Sequence, residues 1–321
     1  MFRRAIKVVV VTMFEPGGGK AGELTHLRKH LGLRPWKLAG FPPGMLWHNG
    51  EGVAAIVAGV GPVNTAVNVL TLGLCARVDW RQAYWLVCGI AGGNPKVCSL
   101  GSPIFADWVV DGDLAYDLHP ADHPPEWPTG LLPLGARRPF GRTGLSTGLF
   151  GQPAQVFQLN PKLSNWAQRL THNVPLADTA ELAAARQAYT AFPHGARIPA
   201  IGVGVVLSAA RYWHGARHQA WAERWVKYWT QGQGQFFTAS MEDSGTLGAL
   251  RQLHRLKLAD WQRVLVLRSV SNFTVPPPGR AAHEHLTGKS PAGVNYPALP
   301  IALENGRRIA TTIITGLLKK S

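Results

Sequence analysis

Short β-branched runs alternate along this chain with longer stretches of helical period. Val8–Thr12 is apolar throughout and short, as expected for a strand buried on both faces. Gly17-Gly18-Gly19 follows it, and Ala21–His30 then reads as a helix. The alternation repeats: Val53–Val57 is a strand, and Gly59-Val60-Gly61-Pro62 turns into the apolar helix Val63–Ala76. Tyr84–Val87 is a strand closed by Gly89-Ile90-Ala91-Gly92-Gly93, and Ser102–Asp111 is another. Later come helices at Pro161–Leu170, Thr179–Tyr189 and Ala216–Trp229, and strands at Ala200–Leu207 and Phe236–Ala239. Asp243–Leu256 is then helical, Arg263–Val270 a strand, and Leu303–Lys319 a closing helix.

Strands alternating with helices predict an α/β chain with a largely parallel sheet. Two Pro- and Gly-rich stretches, about 112–157 and 272–300, lack a period and read as long loop excursions. No repeat or low-complexity linker divides the 321 residues, so one domain over 1–321 is the simplest expectation.

Composition narrows the class. At 46% hydrophobic and 16% charged residues the chain is an ordinary globular one. Its formal net charge of +15 opens nucleic acid, anionic membranes and anionic small ligands as partners. The 33 Lys and Arg are scattered, and Arg217, Arg224 and Lys227 alternate with Trp221 and Trp225, so nucleic acid is not the expected partner. Cys75, Cys88 and Cys98 form no CxxC, which argues against a disulfide framework or a zinc cluster. No run of 18 apolar residues predicts a membrane span, and the basic start before Val8 reads as the lead-in to a strand. Asp117, His119, Asp122 and His123 crowd one loop, and His283 and His285 another. Loop polarity explains them better than a metal, so no metal is expected.

Met241-Glu242-Asp243 carries the sharpest signal, with two carboxylates at a strand end before a helix. That is where α/β sheets bind ligands, although helix capping explains an acid there equally well. The glycine turns Gly17–Gly19, Gly59–Gly61 and Gly89–Gly93 fit backbone approach to an anion or sugar, but none is a P-loop or a dinucleotide fingerprint.

Read in order, several segments resemble the nucleoside phosphorylase and nucleosidase superfamily. They are Ala58–Pro62, Cys88–Pro95, Gly101–Pro103, Ser208–Trp213, Ser240–Glu242 and Arg268–Asn272. Tyr212–Gly215, Trp229–Gly234, Met241–Ser244 and Gly112–Tyr116 are most similar to its purine nucleoside permease family. The resemblance implies a three-layer α/β/α core with a mixed, largely parallel sheet. It also implies purine nucleoside binding. Met241 and Glu242 would grip the ribose, with an ionised carboxylate accepting from two hydroxyls, and His214 would touch the sugar. Tyr212 and Trp213 would stack the base, a contact worth about 1–3 kcal/mol, and Asn272 would hydrogen-bond it. Many relatives carry an aspartic acid at the last position. An asparagine cannot deliver a proton, so leaving-group activation would rest on hydrogen bonding. Ser240 falls where many members carry a further acid.

Glu15, at the end of the first strand, falls where nucleosidases place the water-activating glutamate; a surface loop explains it as well. Gly17, Gly89 and Ile90 would form the backbone near the nucleophile. Ile90 stands where phosphorylases commonly place a hydroxyl, which disfavours phosphate as co-substrate. No other cofactor is implied. Three readings stay open: N-glycosidic cleavage, by water rather than phosphate; a non-catalytic nucleoside-binding protein assisting uptake; and a basic-surface interaction protein without chemistry. The resemblance also allows a homo-oligomer and a periplasmic or exported location, while the chain shows no export signal.

Overall fold

The computed structural model describes residues 4–18, 20–143, 155–288 and 296–320. Gly19 and the stretches 144–154 and 289–295 of the two excursions lie outside the described residues. Among the described residues ten strands form the main sheet: β1 (Val8–Thr12), β2 (Arg34–Pro35), β3 (Leu46–His48), β4 (Val53–Val57), β5 (Tyr84–Gly93), β6 (Pro103–Asp111), β7 (Val156–Gln158), β8 (Gly202–Ser208), β9 (Phe236–Ser240) and β10 (Val264–Phe273). Around them pack α1 (Glu23–His30), α2 (Pro62–Leu74), α3 (Pro161–Thr171), α4 (Ala180–Gln187), α5 (Ala216–Trp229), α6 (Asp243–Arg255), α7 (Ala282–Thr287) and α8 (Leu299–Lys320).

The apolar pattern of β1 explains the layering. Successive side chains point to opposite faces, and every residue of β1 is buried. Val9 and Val11 pack with Leu72 of α2 and Leu250 and Leu253 of α6. Val8 and Val10 face the other way, onto Leu24 and Leu27 of α1 and Ile309 and Ile313 of α8. Helices therefore cover both faces of a mixed sheet whose longer pairings are mostly parallel: β1 with β4 and β5, β5 with β10, and β8 with β6 and β9.

Part of the sheet closes on itself. β10 lies between β5 (parallel) and β6 (antiparallel), β6 pairs with β8, and β8 with β9. β9 then returns to the end of β5 through Thr238 opposite Gly93 and Ala239 opposite Gly92. Closure removes exposed edges. It also gathers the end of β9, the Asn272 end of β10 and the Ile90–Gly92 segment of β5 into one place.

Gly89–Gly93 is not a turn, as the glycine pattern predicts, but the last five residues of β5. The glycines serve close approach within the strand. A Cβ on Gly89 would lie 2.5 Å from Glu23 Oε1 and 2.6 Å from Arg268 Nη1. Both of those groups are pinned by hydrogen bonds. Gly89→Ala is expected to lower stability by about 1–3 kcal/mol through overpacking, measurable as a lower urea midpoint; an unchanged midpoint would contradict this packing.

The predicted elements fall within a few residues of the observed ones, with α5 matching at both ends, while the short strands β2, β3 and β7 have no counterpart in the sequence pattern. β10 runs three residues past Val270, into the start of the second excursion. The excursions also hold small elements that are too short to show a period: a hairpin of Ala115–Asp117 with Leu131–Pro133, and α7.

Candidate functional site

A cavity of about 480 Å³ opens where β5, β9 and β10 converge, a size suited to a small-molecule ligand. Its wall carries Phe14, Lys20, Glu23, Ile90, Tyr212, Met241, Glu242, Asn272 and Tyr296. Val60, from the turn between Gly59 (φ +86°) and Gly61 (φ +90°), also lines it.

Beneath it lies a buried charge cluster. Arg268 on β10 is fully buried. Its Nη2 donates to Asp243 Oδ1 at 2.6 Å and to Glu242 Oε2 at 3.2 Å, its Nε donates to Asp243 Oδ2 at 3.1 Å, and its Nη1 donates to the Ile90 carbonyl at 3.0 Å. Burial alone would lower the guanidinium's pKa, but Asp243 and Glu242 outweigh it and raise it. Glu242 is raised from the ordinary carboxylate value, chiefly by burial and despite the pull of Arg268. Asp243 is therefore not a bland helix cap. It is the first residue of α6, has no exposure, takes the Ser240 hydroxyl at 2.7 Å and neutralises Arg268.

Glu23, the first residue of α1, is the third carboxylate. Its Oε2 accepts from Met13 N at 2.7 Å and Phe14 N at 3.0 Å, and its Oε1 accepts from Ile90 N at 2.8 Å. Burial pushes its pKa up to about 7, with Arg268 opposing and Glu242 adding to the rise. A buried carboxylate poised near neutrality in a ligand cavity fits a general base.

The predicted residues divide. Met241, Glu242, Tyr212, Asn272 and Ile90 meet on the cavity wall. Asn272 Nδ2 donates to Tyr212 Oη at 2.8 Å, and Asn272 Oδ1 accepts from Ser271 Oγ at 3.0 Å, so the amide fixes the phenol. Trp213 is 8% exposed and packs edge-on against Trp221; it lines only a small side cavity beside Tyr212 and Asn272. His214 lies off the cavity wall. Its ring stacks on His285 of α7 at 4.9 Å, with Nε2 2.9 Å from His285 Nδ1. Gly17 and Gly89 also lie off the cavity wall.

Glu15 is not on the wall either. Its Oε1 accepts from Leu24 N at 2.6 Å and Thr25 N at 2.9 Å, and its Oε2 from Thr25 Oγ1 at 2.7 Å. It caps α1, which begins after Gly22, a residue with no side chain to do so. In the 117–123 loop, His119 accepts from Ala121 N and His123 stacks on Trp127. Among the described residues no three His, Cys, Asp or Glu side chains converge as a metal site would need. A larger cleft of about 860 Å³ beside α3 holds a single carboxylate, Asp178, already engaged by Arg186 at 2.7 Å.

The sequence profile described as purine nucleoside permease (NUP) matches residues 5–321. The chain belongs to the purine nucleoside permease family. Within this permease family, the chain is 27% identical over 270 residues to the purine nucleoside permease of Candida albicans, covering 83% of this chain. It is 26% identical over 225 residues to a probable purine nucleoside permease of Schizosaccharomyces pombe, covering 69% of this chain. Each match spans 64% of the relative's own length. Among solved structures, a 5′-methylthioadenosine/S-adenosylhomocysteine nucleosidase from Neisseria meningitidis superposes with a TM-score of 0.57 at 16% identity, covering 97% of this chain and 99% of that one. Futalosine hydrolase of Helicobacter pylori gives 0.59 at 13% identity, covering 97% and 98%. The permease-family chain thus has the nucleoside phosphorylase/nucleosidase fold. Among its described residues no helix is long and apolar enough to cross a membrane.

Several residues of this site were not singled out by the sequence, Phe14, Lys20 and Tyr296 of the wall among them, and the two that matter most for its charge are Glu23 and Arg268. Glu23 looks like an ordinary first-turn acid of a helix, and Arg268 sits in the motif without an evident partner. The signal for Arg268 was a charge directly after the apolar run Val264–Leu267, where an unpaired cation is costly.

Proposed function

We propose that the cavity binds a purine nucleoside and that the protein hydrolyses its N-glycosidic bond. The observation that carries this is Glu23, a buried carboxylate with a pKa raised to about 7 that shares the cavity with Glu242. Glu242 and Met241 hold the ribose hydroxyls. Tyr212, positioned by Asn272, takes the base. Glu23, rather than Glu15, accepts a proton from water as its oxygen bonds to C1′. The C1′–N9 bond breaks, its electron pair leaves with the base, and the base takes up a proton from solvent.

Phosphate fits this wall poorly. Ile90 offers it no hydroxyl, Arg268 is already occupied by carboxylates, and Glu23 and Glu242 would repel a dianion. Lys20 is the remaining cation on the wall.

The names of the curated relatives favour a second reading, a nucleoside-binding protein that assists uptake. One assay separates the two. Inosine, adenosine, guanosine and uridine are incubated with the protein, with and without phosphate, and free base is resolved by chromatography. Base release from the purine nucleosides in phosphate-free buffer is expected. Release only with phosphate would overturn hydrolysis. Binding without turnover, lost in Glu242→Ala, would establish the binder.

A further inference from the structure

The basic residues of α5 and the polar 117–131 loop take no part in the nucleoside cavity, yet they face each other across a separate cleft of about 710 Å³. We propose that this cleft is a second ligand site, which takes a small anion carrying a planar ring.

The cationic wall follows from helical spacing. Arg217, Trp221 and Arg224 stand at i, i+4 and i+7 on one face of α5. His218 and Arg211 extend this wall. Among the residues lining the cleft the single carboxylate is Asp117. Arg211 meets Asp113 at 3.4 Å, and Arg217 makes no hydrogen bond or ion pair among the described residues. Cations converging on a concave, partly apolar surface raise the local potential and favour an anion.

The aromatic component is equally specific. Trp127 lines the cleft from the loop, with the His123 ring stacked on it at 6.4 Å and 17°, and the buried Trp221 also borders it. Phe140 carries the Arg224 guanidinium 4.4 Å above its ring, which holds that cation in place. A planar ring inserted between α5 and the loop has the Trp127 ring to stack on. The volume suits a ligand of small-molecule size. This cleft shares no lining residue with the nucleoside cavity, although Arg211 and Tyr212 are consecutive in sequence. A ligand here therefore binds alongside a nucleoside and not in place of it.

The probe is 1-naphthyl phosphate, which has the ring and the charge but no ribose, followed by equilibrium dialysis against the full chain. Saturable one-to-one binding is expected, unchanged by saturating adenosine and weakened about tenfold or more when salt rises from about 0.05 to 0.5 M. Arg217→Glu, on an exposed position, is expected to weaken binding at least about tenfold while leaving the unfolding curve as in the wild type. Trp127→Ala tests the ring independently and is expected to weaken naphthyl phosphate by about fivefold or more without changing affinity for inorganic phosphate. Displacement by adenosine would place the probe in the nucleoside cavity and overturn the proposal. Binding that is absent, or insensitive to Arg217→Glu, would do the same. Inorganic phosphate competing as strongly as the aryl ester would overturn the part played by the ring.

Discussion

Replacing Glu23 by glutamine is expected to reduce purine base release by about 10²–10⁴-fold, the usual contribution of a positioned general base, while the Kd for the nucleoside changes only a few-fold. The separation follows from where the group sits. Glu242 and Tyr212 face the cavity independently of Glu23, so binding survives while water loses its proton acceptor. The pH profile carries the same signature. The base works ionised, and burial has raised its pKa to about 7. Activity should therefore fall as pH drops through about 7, with substrate saturating.

Stability runs in the opposite direction. A carboxyl whose folded pKa is raised contributes stability that is fully present below its ordinary value of 4.5 and lost as pH rises through about 7. Unfolding curves for the wild type and Glu23→Gln should show this component in the former only. Glu15→Ala is the contrasting variant. It removes the cap of α1 and should cost about 1 kcal/mol of stability with base release close to wild type. Full activity in Glu23→Gln, or its loss in Glu15→Ala alone, would return the catalytic role to Glu15.

The contrast between Glu15 and Glu23 shows how far the sequence was legible. Periodicity located the longer strands and helices because β1 and the first half of β10 are runs of Val and Leu and α5 repeats its buried face, and these signals are local. The order of motifs along the chain also picked out Met241, Glu242, Tyr212, Ile90 and Asn272, and these five residues line one cavity. What stayed hidden depended on side-chain direction. Glu15 and Glu23 both flank the start of α1, and only the path of the loop decides which one enters the cavity. His214 and Trp213 are neighbours of Tyr212, yet one turns to His285 and the other into the Trp221 packing. Strand closure was equally out of reach. The β9–β5 pairing spans two residue pairs, and the glycines of β5 look like a turn until Glu23 and Arg268 are seen filling the space at Gly89, and Val270 and Cys98 that at Gly93.

The largest effect on folding is expected at Arg268. Arg268→Met keeps much of the side-chain volume but removes the guanidinium that Asp243, Glu242 and the Ile90 carbonyl share. Breaking a buried ion pair on one side costs about 3–5 kcal/mol, because the remaining charge is left without compensation. Here the loss falls on the two carboxylates bonded to Arg268, while Glu23 loses the opposing charge that moderates its raised pKa. Urea unfolding at pH 8 should register most of this penalty. Without the cation Glu242 and Glu23 take up protons more readily, so the gap to wild type should narrow as pH falls toward about 5. Arg268→Met combined with Asp243→Asn should recover part of the loss at pH 8, since neutralising one carboxylate removes one uncompensated charge. If Arg268→Met instead lost less than about 1 kcal/mol, the cluster would be as loosely held as a surface pair. The arrangement of Glu23, Ile90 and Glu242 around the cavity would then need another source of rigidity. A penalty that narrows with acid and is partly relieved by Asp243→Asn ties the stability of this fold to the charges that shape its cavity.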